Sequence, residues 1–184
     1  MSSYQDRHYF IALELDHSAK DWLYQIQQRL VPHVSYKQWV HPDDFHITLQ
    51  FLGSVTEKTL LAIRTQLEKI NVAPFMIEIG GLATFGKADM PRVLWVGVEK
   101  SDSILQLHQH VTTAISPYVK INERTYTPHI TLAKKWATAT PILNKQVLLE
   151  PTGSKKVTIT KLVIYKINPE KKPKYHVWRQ FEWR

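Results

Sequence analysis

The tetrapeptide His-Ile-Thr-Leu occurs twice in this 184-residue chain, as His46-Ile47-Thr48-Leu49 and as His129-Ile130-Thr131-Leu132. We read the recurrence as an internal repeat. Its residue types define a chemistry. Imidazole titrates near pH 6.5, so two of them supply one neutral and one protonated ring at working pH, a general base beside a general acid. Threonine hydroxyls donate to non-bridging phosphate oxygens, and a nearby cation offsets the oxygens' charge. Together these groups suit acid–base chemistry on a phosphate ester. On a strand, residues i and i+2 share a face. His46 and Thr48 would then line a cleft while Ile47 and Leu49 enter a core, with His129 and Thr131 doing the same from a second strand.

Positioning these strands requires flanking elements. A first helix is expected after Asp16 or Ser18, with Trp22, Leu23, Ile26 and Leu30 on one face before Pro32. A second begins at Thr56 and carries Leu60, Ile63, Leu67 and Ile70. A third opens near Ser101, shows Ile104, Leu107, Val111 and Ile115, and stops at Pro117; a fourth helical stretch is expected around 139–148. Strands are predicted over His8–Leu15, Ser35–Val40, Phe45–Phe51, Phe75–Ala83, Val93–Glu99, His129–Ala133, Val157–Ile167 and Tyr175–Trp183. Ser18 precedes His46 by 28 residues and Ser101 precedes His129 by 28. The matched offsets predict a duplicated α+β unit with helices outside antiparallel sheets and the two motif strands facing each other across a cleft.

Composition narrows the function classes. The chain is 43% hydrophobic, enough for a core in one domain or two tightly packed halves. It has no cysteine, which removes disulfides and cysteine metal sites and points to a reducing cytosol. The first residues lack a basic segment followed by an apolar one, and no apolar run suits a membrane span, so a soluble cytoplasmic protein is expected. The net charge is +8, with lysine and arginine crowding the stretch from Lys155 to Arg184. Such a balance favours an anionic partner, nucleic acid first, against the alternative of a solvated basic surface.

The remaining histidines carry less. His108 falls on the apolar face of the third helix and is expected to be packed; His108 and His110 lie on different faces, which argues against a metal pair. No phosphate-binding Gly-x-x-x-x-Gly-Lys loop, Gly-x-Ser-x-Gly elbow, His-Glu-x-x-His helix or Lys-x-Asp-Gly motif occurs. A site working without metal or nucleotide cofactor is therefore expected.

With these residues in view, the chain resembles the two-histidine phosphoesterase superfamily, and more narrowly the RNA 2′,3′-cyclic phosphodiesterases once described as 2′-5′ RNA ligases. The likeness runs nearly end to end. It includes Arg7-His8-Tyr9-Phe10-Ile11-Ala12-Leu13, the stretch from Trp39 to Gly53 around the first motif, Pro91-Arg92-Val93-Leu94-Trp95-Val96-Gly97, and the stretch from Arg124 to Lys134 around the second. The resemblance implies an α+β fold of two lobes related by a pseudo-twofold, two antiparallel β-sheets around a central cleft, with residues 1–184 forming one two-lobed domain. It implies metal-independent hydrolysis of RNA 2′,3′-cyclic phosphate ends to 2′-phosphates by His46 and His129. His129 is assigned as base and His46 as acid, and the pseudo-symmetry leaves the reverse open. Thr48 and Thr131 would hold the phosphate oxygens.

Lys134 stands where family members usually place arginine; it keeps the charge and loses the bidentate fork. Strict alternation turns Lys134 away from the face of His129 and Thr131 unless the strand bulges, which leaves Lys135 as the other candidate. Tyr126 occupies an aromatic position of the family, as a base-stacking group or a core residue. Tyr165-Lys166-Ile167 lacks a serine common there. The implied partner is RNA or an oligonucleotide with a cyclic end, with no membrane and no obligatory protein partner. Alternatives are the same site acting on 2′-5′-linked oligonucleotides or small cyclic nucleotides, with ligation by reversal, or an RNA-binding module without turnover.

Overall fold

The computed structural model describes residues 8–121, 124–142 and 145–183. Arg7 of the first stretch quoted for the family likeness and residues 143–144 of the expected fourth helix lie outside them. Among the described residues, nine strands form two antiparallel sheets. The four-stranded sheet has the order β3-β1-β8-β9 and the five-stranded sheet the order β2-β6-β5-β4-β7. The first sheet is built from β1 (His8–Glu14), β3 (His46–Ser54), β8 (Lys161–Ile167) and β9 (Tyr175–Glu182); the second from β2 (Tyr36–Trp39), β4 (Phe75–Gly86), β5 (Pro91–Val98), β6 (His129–Trp136) and β7 (Ser154–Ile159).

Helices α1 (His17–Leu30), α2 (Glu57–Leu67) and α3 (Asp102–Ile115) bury the apolar faces expected from their spacing: Leu23, Ile26 and Leu30, then Leu60, Ile63 and Leu67, then Ile104, Leu107, Val111 and Ile115. Those faces join one continuous core with residues of both sheets. Strand alternation is legible in β1. Tyr9, Ile11 and Leu13 enter that core, whereas Phe10 and Ala12 turn to the other face and pack with Val163 and Tyr165.

Four expectations need correction. The matched offsets do not hold: helix α1 is capped by Asp16, the first of its two expected caps, whose carboxylate accepts from the Ala19 N–H at 2.7 Å, and Ser18 lies inside the helix. The cap thus precedes His46 by 30 residues, against 28 for Ser101 before His129. The link from α1 to β3 also contains β2, which joins the opposite sheet. The single strand expected over Val157–Ile167 breaks at Thr160 into β7 and β8, one in each sheet. Among the described residues, 139–148 form only a short 3-10 turn, Lys145–Leu148, so β6 is not followed by an α-helix as β3 is. Both motif strands also run three residues beyond their predicted ends. Among the described residues, no helix is long and apolar enough to cross a membrane.

Candidate active site

Each motif strand carries the same local irregularity. In the pairing of β1 with β3, Thr48 faces Ala12 and Gln50 faces Ile11, leaving Leu49 unpaired. In the pairing of β5 with β6, Thr131 faces Trp95 and Ala133 faces Leu94, leaving Leu132 unpaired. A β-bulge therefore sits at the third residue after each histidine, and it flips the facing of the residues that follow, in β3 until a second irregularity at Leu52. Leu132 and Ala133 are both fully buried, and the next outward position is Lys134. The bulge brings Lys134 onto the face of His129 and Thr131. Lys135 is exposed, with a backbone φ of 62°, and is turned away.

Groups from the other half of the chain hold both bulged segments. The Leu132 carbonyl accepts from the Val40 N–H at 2.9 Å and from Gln27 Nε2 at 3.0 Å. The Thr48 carbonyl accepts from the Tyr126 hydroxyl at 3.2 Å. Tyr126 stacks on His108 with ring centroids 3.8 Å apart and planes 7° apart. His108 in turn lies 3.2 Å from Gln50 Nε2, which also donates to Thr112 Oγ1 at 2.9 Å. His108 is thus packed as expected, and one face of Tyr126 is occupied by protein.

The two imidazoles are oriented alike. His46 Nδ1 donates to the Asp44 carbonyl at 2.7 Å and His129 Nδ1 to the Thr127 carbonyl at 2.8 Å. A carbonyl partner fixes the neutral ring as the Nδ1–H tautomer and presents an unprotonated Nε2 to the cleft. There the rings differ. His46 Nε2 accepts from the Thr48 hydroxyl at 2.9 Å, whereas His129 Nε2 has no protein hydrogen-bond partner among the described residues. Burial lowers the pKa of both. The carbonyl contact opposes this and is outweighed, and the charge of Lys134 lowers both further. His46 is pushed down to about 4. Lys134 is itself lowered, by burial first and then by repulsion from Lys174, with Asp44 pulling the other way.

Aromatic walls enclose each ring. His46 lies 4.8 Å from Phe10, 5.1 Å from Tyr175 and 6.1 Å from Tyr165. His129 lies 5.0 Å from Phe85 and 5.5 Å from Trp95. Sequence reasoning missed two groups here. Asp44, only 4% exposed, accepts from Lys174 N–H at 2.8 Å and Tyr175 N–H at 3.0 Å through its carboxylate while its carbonyl holds His46. Because β9 is three strands from β3, that contact closes the sheet into a cup over His46. Phe51, 64% exposed, packs against Phe10 on the same face. Its signal was available: it occupies the fifth position after His46, as Lys134 does after His129. Among the described residues, no group of three or more metal-ligating side chains is gathered.

Two antiparallel sheets carrying paired His-x-Thr strands define a two-histidine phosphoesterase, and the chain belongs to the 2′-5′ RNA ligase superfamily, which it matches over residues 15–170. Two curated relatives are each named RNA 2′,3′-cyclic phosphodiesterase. That of Bacillus subtilis is 30% identical over 95% of this chain and 96% of its own length. That of Geobacillus stearothermophilus is 32% identical over 95% of this chain, which spans 56% of the relative's length. The fold is similar to that of E. coli LigT crystallised with 3′-AMP, with a TM-score of 0.77 at 20% identity over 96% of this chain and 98% of the other. A Thermus thermophilus protein gives a TM-score of 0.77 at 24% identity, over 96% and 98%.

Proposed function

We propose that this chain hydrolyses 2′,3′-cyclic phosphate ends of RNA to 2′-phosphates. The observation that carries the reading is the convergence of two carbonyl-oriented imidazoles with Lys134, whose charge reaches both rings. Water attacks phosphorus and yields its proton to His129 Nε2, the ring nitrogen left open by the protein. The P–O3′ bond breaks, and His46 Nε2–H protonates the departing oxygen. Thr48 and Thr131 donate to the non-bridging oxygens and Lys134 balances their charge. In the free site Thr48 Oγ1 is held by His46; protonating that ring reverses the bond and frees the hydroxyl proton for phosphate. Burial first, and the Lys134 charge after it, keep His46 neutral in the free site; the anionic substrate offsets the second of these. Phe51 offers an apolar face for a base, Tyr126 acts by holding Thr48, and exposed Lys135 adds only to the positive field.

One observation favours the reversed assignment: His46, at about 4, is neutral across the working range of a base. A substrate with sulfur at the 3′ bridging position separates the two, because a thiolate leaves without a proton. The variant, His46→Ala or His129→Ala, that regains rate on it lacks the acid. RNA is the partner and no protein partner is needed; a cysteine-free chain suits the cytoplasm. The test is product analysis on a cyclic-ended oligonucleotide in EDTA. A 2′-phosphate product is expected. RNA binding without turnover would overturn the reading.

A further inference from the structure

We propose that the turn joining β8 to β9, residues 168–174, is a second phosphate-binding site that takes an internal phosphate of the RNA strand next to the cyclic end. The inference rests on the RNA reading of the site and names a contact that reading does not use.

The turn reads Asn168-Pro169-Glu170-Lys171-Lys172-Pro173-Lys174, three lysines against one glutamate. It is held at its neck and within. Asn168 N–H donates to the Lys174 carbonyl at 2.7 Å, and Lys171 N–H to the Asn168 carbonyl at 3.1 Å. The carboxylate of Asp44 takes the Lys174 and Tyr175 N–H groups, and the same residue's carbonyl holds His46. A lysine-rich turn is thereby fixed two residues from a cleft imidazole, with Tyr175 5.1 Å from that ring. Lys171 and Lys172 are exposed, and neither forms an ion pair among the described residues. The terminal phosphate already has Lys134 on the cleft face. Two further solvated ammonium groups at the rim have no work on a mononucleotide and match the next charge of a polynucleotide. Two prolines and the Asp44 clamp lower the ordering cost of binding there.

The test compares two substrates and two variants of equal charge change. Lys171→Ala/Lys172→Ala removes the rim lysines; Lys155→Ala/Lys156→Ala removes two from β7, at the far edge of the other sheet. For the rim variant, kcat/KM on a cyclic-ended oligonucleotide should fall about tenfold at low salt while a 2′,3′-cyclic mononucleotide is unaffected, and the salt slope should shrink by about 0.7 per lost contact. The β7 variant should match the unmutated protein. Equal losses on both substrates, equal losses in both variants, or no loss would each overturn the site. If the unmutated protein turns over neither substrate, the hydrolytic reading fails. The site is then judged by affinity for a 2′-phosphate-ended oligonucleotide, where equal binding by all three proteins overturns it.

Discussion

β3 and β6 carry the same four residues, the same bulge three residues after the histidine, and the same Nδ1 contact to the carbonyl two residues before it. On the cleft face they part at the fifth position after the histidine, where β3 presents Phe51 and β6 presents Lys134. The surroundings part as well. His46 sits under a clamp built by Asp44, with Phe10, Tyr165 and Tyr175 about it, while His129 keeps an open Nε2 between Phe85 and Trp95. The two strands thus share a scaffold and differ at their edges. On the proposed function, one edge supplies charge to the reacting phosphate and the other an apolar surface to the nucleoside attached to it.

The strongest challenge to this symmetry is to remove each imidazole. His46→Ala and His129→Ala should each cost about 10²–10⁴-fold in kcat on a cyclic-ended oligonucleotide, with RNA affinity kept. A variant at wild-type rate would end the paired acid–base account. The division at the fifth position is tested next. Lys134→Ala should lower kcat about 10²-fold and Lys134→Arg should retain most of it, whereas Phe51→Ala should raise KM several-fold with kcat nearly unchanged. Interchangeable effects would mean that the edges are not specialised.

Asp44→Ala probes the clamp beside β3, which β6 lacks among the described residues. The two N–H groups it leaves, each contact to a charged acceptor being worth about 1.5–3 kcal/mol, should lower the melting temperature and reduce kcat about tenfold. The smallest effect is on stability against pH. An unfolded imidazole titrates near 6.5 and folded His46 near 4. Between those values the unfolded chain binds a proton that the folded chain refuses, so stability is full above 6.5 and falls as pH drops toward 4. His46→Gln should flatten the melting-temperature curve over that window more than His129→Gln does. Parallel curves would remove the asymmetry of burial.

Local pattern carried much of this architecture. The helical faces of α1, α2 and α3 and the division of each motif into cleft and core residues come from periods of 3.6 and 2. The features that escaped were set by partners distant in sequence. Lys134 faces the cleft because Leu132 bulges, and the Leu132 carbonyl is held by Gln27 and Val40, far earlier in the chain. The break at Thr160 is invisible because the residues on both sides are good strand formers; only their assignment to different sheets separates them. Asp44 has no role legible from its neighbours, because its partners Lys174 and Tyr175 lie 130 and 131 residues away.

That break has a consequence for the order of assembly. β1 and β3 are the earliest strands of their sheet, but β1 has β8 as its second neighbour, so the sheet stays half-sealed until residues 161–182 leave the ribosome. The five-stranded sheet, by contrast, has all its strands by residue 159. A nascent chain therefore closes its later-encoded histidine's scaffold first, and the cup over His46 forms last, when β9 arrives to meet Asp44. Synthesis is vectorial, and such long-range closure is slow, so His46 gains its working environment only once β9 is out.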